Sequence, residues 1–111
     1  MSNLAESSER GALTEAVFYI LLSLYSPMHG YGIMQNVKEL SKERVNLGAG
    51  TLYGAINTLL LKKWIEFIEG DKESRKKEYK ITDLGKAIIG DEIVRLEELI
   101  ANGKMIVGGD I

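Results

Sequence analysis

A chain of 111 residues has room for one domain and an additional helix, not for two independent cores. It has no cysteine, which excludes a disulfide scaffold and any thiolate metal site and fits a reducing cytoplasm. The formal net charge of -2 argues against a nucleic-acid partner only until the charges are placed: Lys72, Arg75, Lys76, Lys77 and Lys80 stand close together against Glu73 and Glu78, while acids outnumber bases from Ile81 onward.

No apolar run approaches the roughly 18 residues of a membrane span, and the first residues lack the basic start and apolar core of a signal peptide, so a cytoplasmic location and no membrane partner are expected. Residues 1–11, rich in Ser and Glu, read as a tail. Thr14 caps a helix expected to run to about Ser26, where Pro27 stops it. That helix has two apolar sides. Val17, Ile20, Leu21 and Leu24 form one, and Phe18, Leu22 and Tyr25 the other, so one side can face the core and the other a partner subunit.

After the Ser26-Pro27 turn, a second helix is expected from Met28–Gly32 to Leu40 or Ser41, with Ile33, Val37 and Leu40 inward and Tyr31, Gln35, Lys38 and Lys42 outward. His29 is the single histidine; with no cysteine or second histidine to join it, it reads as a capping or packing residue rather than a metal ligand or catalytic base. Tyr31 suits either a core position with a wet hydroxyl or, beside Gln35 and Lys38, a phosphate contact.

Lys42 to Gly48 is a connection, and a third helix follows to about Lys63. Leu52, Ile56 and Leu59 mark its inner side; Gly50, Gly54, Asn57 and Thr58 lie opposite, with Thr51 and Tyr53 at the margins. Each glycine in an exposed helix costs about 1 kcal/mol relative to alanine. Two explanations stand: tight packing on another helix of the same domain, or close approach of the backbone to an external surface such as a DNA groove, with the helix N-terminus near an anion. Two helices joined by a short turn, the second stripped of bulky outer groups, match a helix-turn-helix.

Trp64–Gly70 alternates as a strand, Lys72–Lys77 forms a basic loop, and Glu78–Ile81 returns, with Tyr79 and Ile81 on one side. Such a hairpin reads as a wing whose tip reaches phosphate or a minor groove, or as a merely solvated loop. Thr82 then caps a last helix, with Asp83 in its first turn; Leu84 and Ile88 fold back on the hairpin, and Ile89, Ile93, Leu96 and Ile100 continue as a stripe that calls for a partner helix. Asn102 and Gly103 are expected to end that helix, leaving 102–111 as a tail.

Three stretches, Pro27-Met28-His29-Gly30-Tyr31-Gly32, Gly48–Ile56 and Lys77–Gly85, together resemble the PadR family of bacterial transcriptional regulators over roughly Thr14 to Ile100. The resemblance implies a mainly α protein with a small β-hairpin: a winged helix-turn-helix over 12–82 and a dimerisation helix over 83–101, in the compact branch with a single final helix. It further implies a homodimer, usually a repressor, on a pseudo-palindromic double-stranded DNA operator, with some members released by small phenolic or hydrophobic compounds. Two stretches depart from the family pattern. Ala49 stands where proline is frequent, and Leu61-Lys62-Lys63-Trp64 places a leucine and two cations near the DNA side, Leu61 either touching a thymine methyl or simply exposed.

The DNA-binding residues expected on these grounds are Tyr31, Gln35, Lys38, Thr51, Tyr53, Gly54, Asn57, Thr58, Lys62, Lys72, Arg75, Lys76 and Lys77. Thr51, Asn57 and Thr58 would read bases, and the tyrosines and cations would hold phosphate or sugar. Phe18, Leu22, Ile89, Ile93, Leu96 and Ile100 are the expected dimer contacts. Trp64, a weak candidate for stacking an effector, reads more readily as a structural hinge between helix and wing. No nucleophile-base pair, phosphate-binding P-loop or metal-ligand cluster is present, so no enzyme and no cofactor are expected. The rival reading is a winged-helix module that docks on another protein and does not bind DNA.

Overall fold

The computed structural model describes residues 11–69 and 77–108. In chain order the elements are α1 (Glu15–Ser23), β1 (Met28–His29), α2 (Gly30–Leu40), α3 (Ala49–Leu61), β2 (Ile65–Ile68), β3 (Glu78–Ile81) and α4 (Asp83–Val107). The fold is a winged helix with a long C-terminal helix, mainly helical with one small antiparallel sheet.

Three of the four described helices start at a side-chain cap. The Thr14 hydroxyl accepts the Val17 N–H at 3.1 Å, His29 Nδ1 accepts the Gly32 N–H at 3.2 Å, and the Thr82 hydroxyl accepts the Gly85 N–H at 3.0 Å. Of the two readings left open for His29, capping or packing, the bond to Gly32 shows the cap. α1 ends three residues short of Ser26. The Leu24 carbonyl, instead of continuing the helix, accepts the Ile81 N–H at 2.8 Å and so belongs to the sheet side of the molecule.

The sheet has three strands, in the order β1-β3-β2, rather than a two-stranded hairpin. Met28 pairs with Tyr79 and His29 with Glu78, while Ile65, Glu66, Phe67 and Ile68 pair with Ile81, Lys80, Tyr79 and Glu78. A two-residue strand has no alternation to read, so β1 leaves no mark in the sequence pattern.

Among the described residues fourteen apolar side chains are buried, including Ile20, Leu21 and Leu24 of the α1 region, Ile33 and Val37 of α2, Leu52, Ile56 and Leu59 of α3, and Ile88 and Ile89 of α4. Burial at this level contributes about 1.5–3 kcal/mol per large side chain. Leu40 departs from expectation: at the final position of α2 it is 46% exposed, beyond the reach of the core. Asn36 Nδ2 donates to the Ser23 hydroxyl at 2.8 Å, which itself donates to the Tyr19 carbonyl, tying α2 to α1.

Gly30 and Gly85 permit close approach between elements. A Cβ at Gly30 would collide with the Tyr53 hydroxyl, and one at Gly85 with the Trp64 carbonyl. The first lets α3 lie over the start of α2; the second lets α4 press against the joint before β2.

α4 runs through Asn102 and Gly103 to Val107 and ends at Gly108, whose φ of 118° supplies the left-handed cap. The expected stop at 102 is thus corrected. A helix penalty of about 1 kcal/mol at a single glycine does not terminate a helix that continues on both sides; a residue that adopts positive φ does. Residues 102–107 are helical, and 109–111 lie outside the described residues.

The α3–β2 joint is a Schellman motif. The Trp64 N–H donates to Leu59 O at 3.1 Å and the Lys63 N–H to Leu60 O at 3.0 Å, with Lys63 itself at φ 62°. A side chain in that conformation is strained by about 1 kcal/mol. Lys63→Gly is therefore expected to raise stability by about 0.5–1 kcal/mol, read as a higher denaturant midpoint with an unchanged slope.

Candidate nucleic-acid interface

The surface of interest begins with the periodicity of α3. Leu52, Ile56 and Leu59 are 0%, 1% and 2% exposed and anchor the helix to the core. Gly48, Ala49, Gly50, Thr51, Gly54, Asn57, Thr58 and Leu61 are all exposed on the other side. A Cβ built at Gly50 or Gly54 meets nothing within 4 Å, so packing inside the domain does not explain them. What remains is an outward face on which the backbone itself is accessible.

The N-cap of α3, Gly48, has no side chain with which to bond the first-turn N–H groups. These groups point outward with the positive end of the helix dipole, next to Thr51. The Thr58 hydroxyl donates to the Gly54 carbonyl at 3.2 Å and keeps its lone pairs free to accept from a base. Asn57, the exposed residue just before it, carries both a donor and an acceptor. Such a face can lie close to a groove and exchange hydrogen bonds with base edges.

Around it stand the other expected contacts. Tyr53 is 45% exposed with its hydroxyl over Gly30, and Tyr31, in the first turn of α2, is 65% exposed. Gln35 is exposed; Lys38 Nζ lies 3.8 Å from Glu43 Oε1, a weak, largely exposed ion pair. Lys62 is exposed, with Nζ 5.0 Å above the Trp64 ring. Lys77, just before β3, is exposed, whereas Lys72, Arg75 and Lys76 fall outside the described residues.

Trp64 is 4% exposed and belongs to the core cluster. Its carbonyl accepts the Thr82 N–H at 3.0 Å, so it fixes α3, β2 and the start of α4 to one another. The ring an effector would have to stack on is enclosed by the chain itself.

Tyr79 lies at the centre of the sheet, 6% exposed and edge-on to Phe67 at 6.1 Å. Burial, and secondarily the neighbouring Tyr53, raises the pKa of its phenol above the usual 10.0. The folded state therefore keeps this proton after the unfolded chain has begun to lose it. Stability that is complete below pH 10 falls as pH rises beyond it, and Tyr79→Phe is expected to flatten that alkaline loss in a denaturant series.

A family model described as the transcriptional regulator PadR-like family matches residues 17–91. The chain belongs to this family. Among solved structures, a PadR family transcriptional regulator from Eggerthella lenta is similar at a TM-score of 0.69 and 21% identity, covering 98% of this chain and 93% of that one. H. salinarum RosR is similar at 0.62 and 25%, covering 85% and 96%. Bordetella bronchiseptica BpsR, whose DNA binding is regulated by 6-hydroxynicotinic acid, is similar at 0.63 and 18%, covering 83% and 65%. A search of curated proteins found no match.

This PadR-like regulator has a second conspicuous surface. Ile93 and Ile100 are 42% and 57% exposed on α4, and every residue from Glu97 to Gly108 is exposed. Ile89 does not share this surface: at 2% exposure it is part of the chain's own core, because the domain covers the first turns of α4 on that side. Phe18, Leu22 and Leu96 are part-buried, and Phe18 and Leu96 line a cleft of about 290 Å³ between α1 and α4. Leu99, Met105, Ile106 and Val107 are 52–81% exposed, and Val107, seven residues after Ile100, continues the stripe. A helix ending at 102 would leave out the last three, although their apolar character is legible in the sequence.

The inner wall of that cleft holds a charge to which the sequence pattern gives no pointer. Glu92, 1% exposed, accepts the Leu13 N–H at 3.0 Å and two bonds from Arg95, at 2.9 and 2.6 Å. It clamps the entry of the chain to α4 at the level where the exposed stripe begins.

Proposed function

We propose that the protein is a homodimeric repressor that binds a pseudo-palindromic operator through α3, with Thr51, Asn57 and Thr58 on base edges and Tyr31, Tyr53, Gln35, Lys38 and Lys62 on the backbone. The observation that carries this reading is the open space at Gly50 and Gly54, which spends helix stability on accessibility. The wing cations Lys72, Arg75, Lys76 and Lys77 supply most of the salt-dependent affinity, each phosphate contact adding to the slope.

The dimer is supported by the exposed stripe of α4. The residues from Glu97 to Gly108 are exposed throughout, so Leu99, Ile100 and the apolar residues after them have no cover among the described residues of one copy. A second copy of the same helix supplies the missing cover and sets two α3 helices about 34 Å apart, one turn of DNA. An effector of hydrophobic or phenolic type fits the α1–α4 cleft, beside this stripe, better than the enclosed Trp64.

Sedimentation with a DNA fragment from directly upstream of the protein's own gene tests the reading. The expected result is two protomers per fragment, preference over unrelated DNA, and affinity that falls steeply between low and moderate salt. Binding to neither DNA at any salt would transfer the exposed surfaces to a protein partner.

A further inference from the structure

We propose that Leu61 is a specificity residue that reads the 5-methyl group of a thymine in each operator half-site. This inference rests on the DNA-binding reading of α3 above.

Helical geometry puts Leu61 on the middle line of the presented face. Gly50, Gly54, Asn57 and Leu61 follow one another at steps of four, three and four residues, which keeps them in register along a single side of the helix. On that line two members have no side chain and the third is a polar amide. Leu61 is the bulky apolar member and is 85% exposed, while the other leucines and the isoleucine of α3 face inward.

Its flanks match a place beside DNA. Lys62 and Lys63, both exposed, follow immediately, and the Schellman turn at Lys63 holds this end of the helix in a fixed direction. Leu61 lies eleven residues after Gly50, about 16 Å along the axis or about five base steps, so a helix laid along a groove carries it to the far edge of the contacted site. The bare backbone at Gly50 and Gly54 allows that flat approach. In the major groove the one apolar feature on a base edge is the thymine methyl, and it is the feature a leucine can recognise.

The test uses the full-length protein and a duplex recovered by repeated selection from a random pool. Each thymine of that duplex is replaced in turn by deoxyuridine, which removes the methyl group and leaves every hydrogen-bonding group in place. Wild type is expected to lose about fourfold in affinity at one thymine per half-site, and on the order of tenfold when both are replaced. Leu61→Ala, at a position with no role in the core, is expected to bind the thymine and uracil forms equally. Wild type indifferent to every replacement, or Leu61→Ala retaining the full penalty, overturns the assignment while leaving DNA binding intact. Failure to recover any duplex overturns the DNA-binding reading and this inference with it.

Discussion

A Gly54→Leu variant is expected to fold at least as well as the parent and to lose DNA binding by about a hundredfold or more. The two halves of this expectation have opposite signs for one physical reason. A side chain at residue 54 enters open space, so nothing in the domain resists it, and replacing a helical glycine gains up to about 1 kcal/mol of helix propensity. On the outside the same side chain occupies the volume into which a groove must come. Lifting α3 by the height of a leucine breaks the contacts of Asn57 and Thr58 together, at about 1–3 kcal/mol for each good base contact. Thermal denaturation and a gel-shift titration on the same preparation measure both. A variant that loses stability, or one that binds DNA unchanged, would show that the bare face has another purpose.

Aspartate introduced along α4 separates core from interface. Ile100→Asp is expected to leave the winged domain folded, because the side chain is 57% exposed in a single copy, and to turn the dimer into a monomer. With one recognition helix left, operator affinity falls on the order of a hundred- to ten-thousandfold, the advantage that two linked contacts hold over one. Ile89→Asp, three turns earlier on the same stripe, behaves differently. At 2% exposure it buries a charge without a partner, costs several kcal/mol and unfolds the domain. Sedimentation and circular dichroism distinguish the outcomes: a folded monomer for the first, an unfolded chain for the second.

The contrast between these two isoleucines also marks how far sequence reasoning reaches. Ile89, Ile93, Leu96 and Ile100 share one periodic stripe, and periodicity alone assigns them one fate. Where the domain stops covering the stripe depends on how α1 and the sheet sit against α4, which is a tertiary fact; so Ile89 joins the core and Ile100 does not. The same limit applies to Gly50 and Gly54. Their position opposite Leu52, Ile56 and Leu59 is readable, but whether a neighbouring helix fills the space beside them is not, and the structure decides it as open.

The three capping residues Thr14, His29 and Thr82 are legible because a cap depends on neighbours two or three residues away. Strand β1 is not, since its two residues become a strand only through Glu78 and Tyr79, some fifty positions along the chain. Glu92 escapes sequence reasoning on similar grounds. A glutamate on a helix reads as solvated, and its burial follows from the approach of Leu13 from the far end of the sequence.

The claim on which the rest depends is that two copies of α3 read two half-sites of one operator. Selection of duplexes from a random pool by the wild-type protein, followed by sequencing, measures this whichever gene the protein controls. The expected result is an enriched site with two-fold symmetry and half-site centres about 10 base pairs apart, with one position relaxed when Asn57→Ala is used in place of wild type. A pool that remains unenriched after repeated rounds, or an enriched site that lacks symmetry and is unchanged by Asn57→Ala, would contradict it.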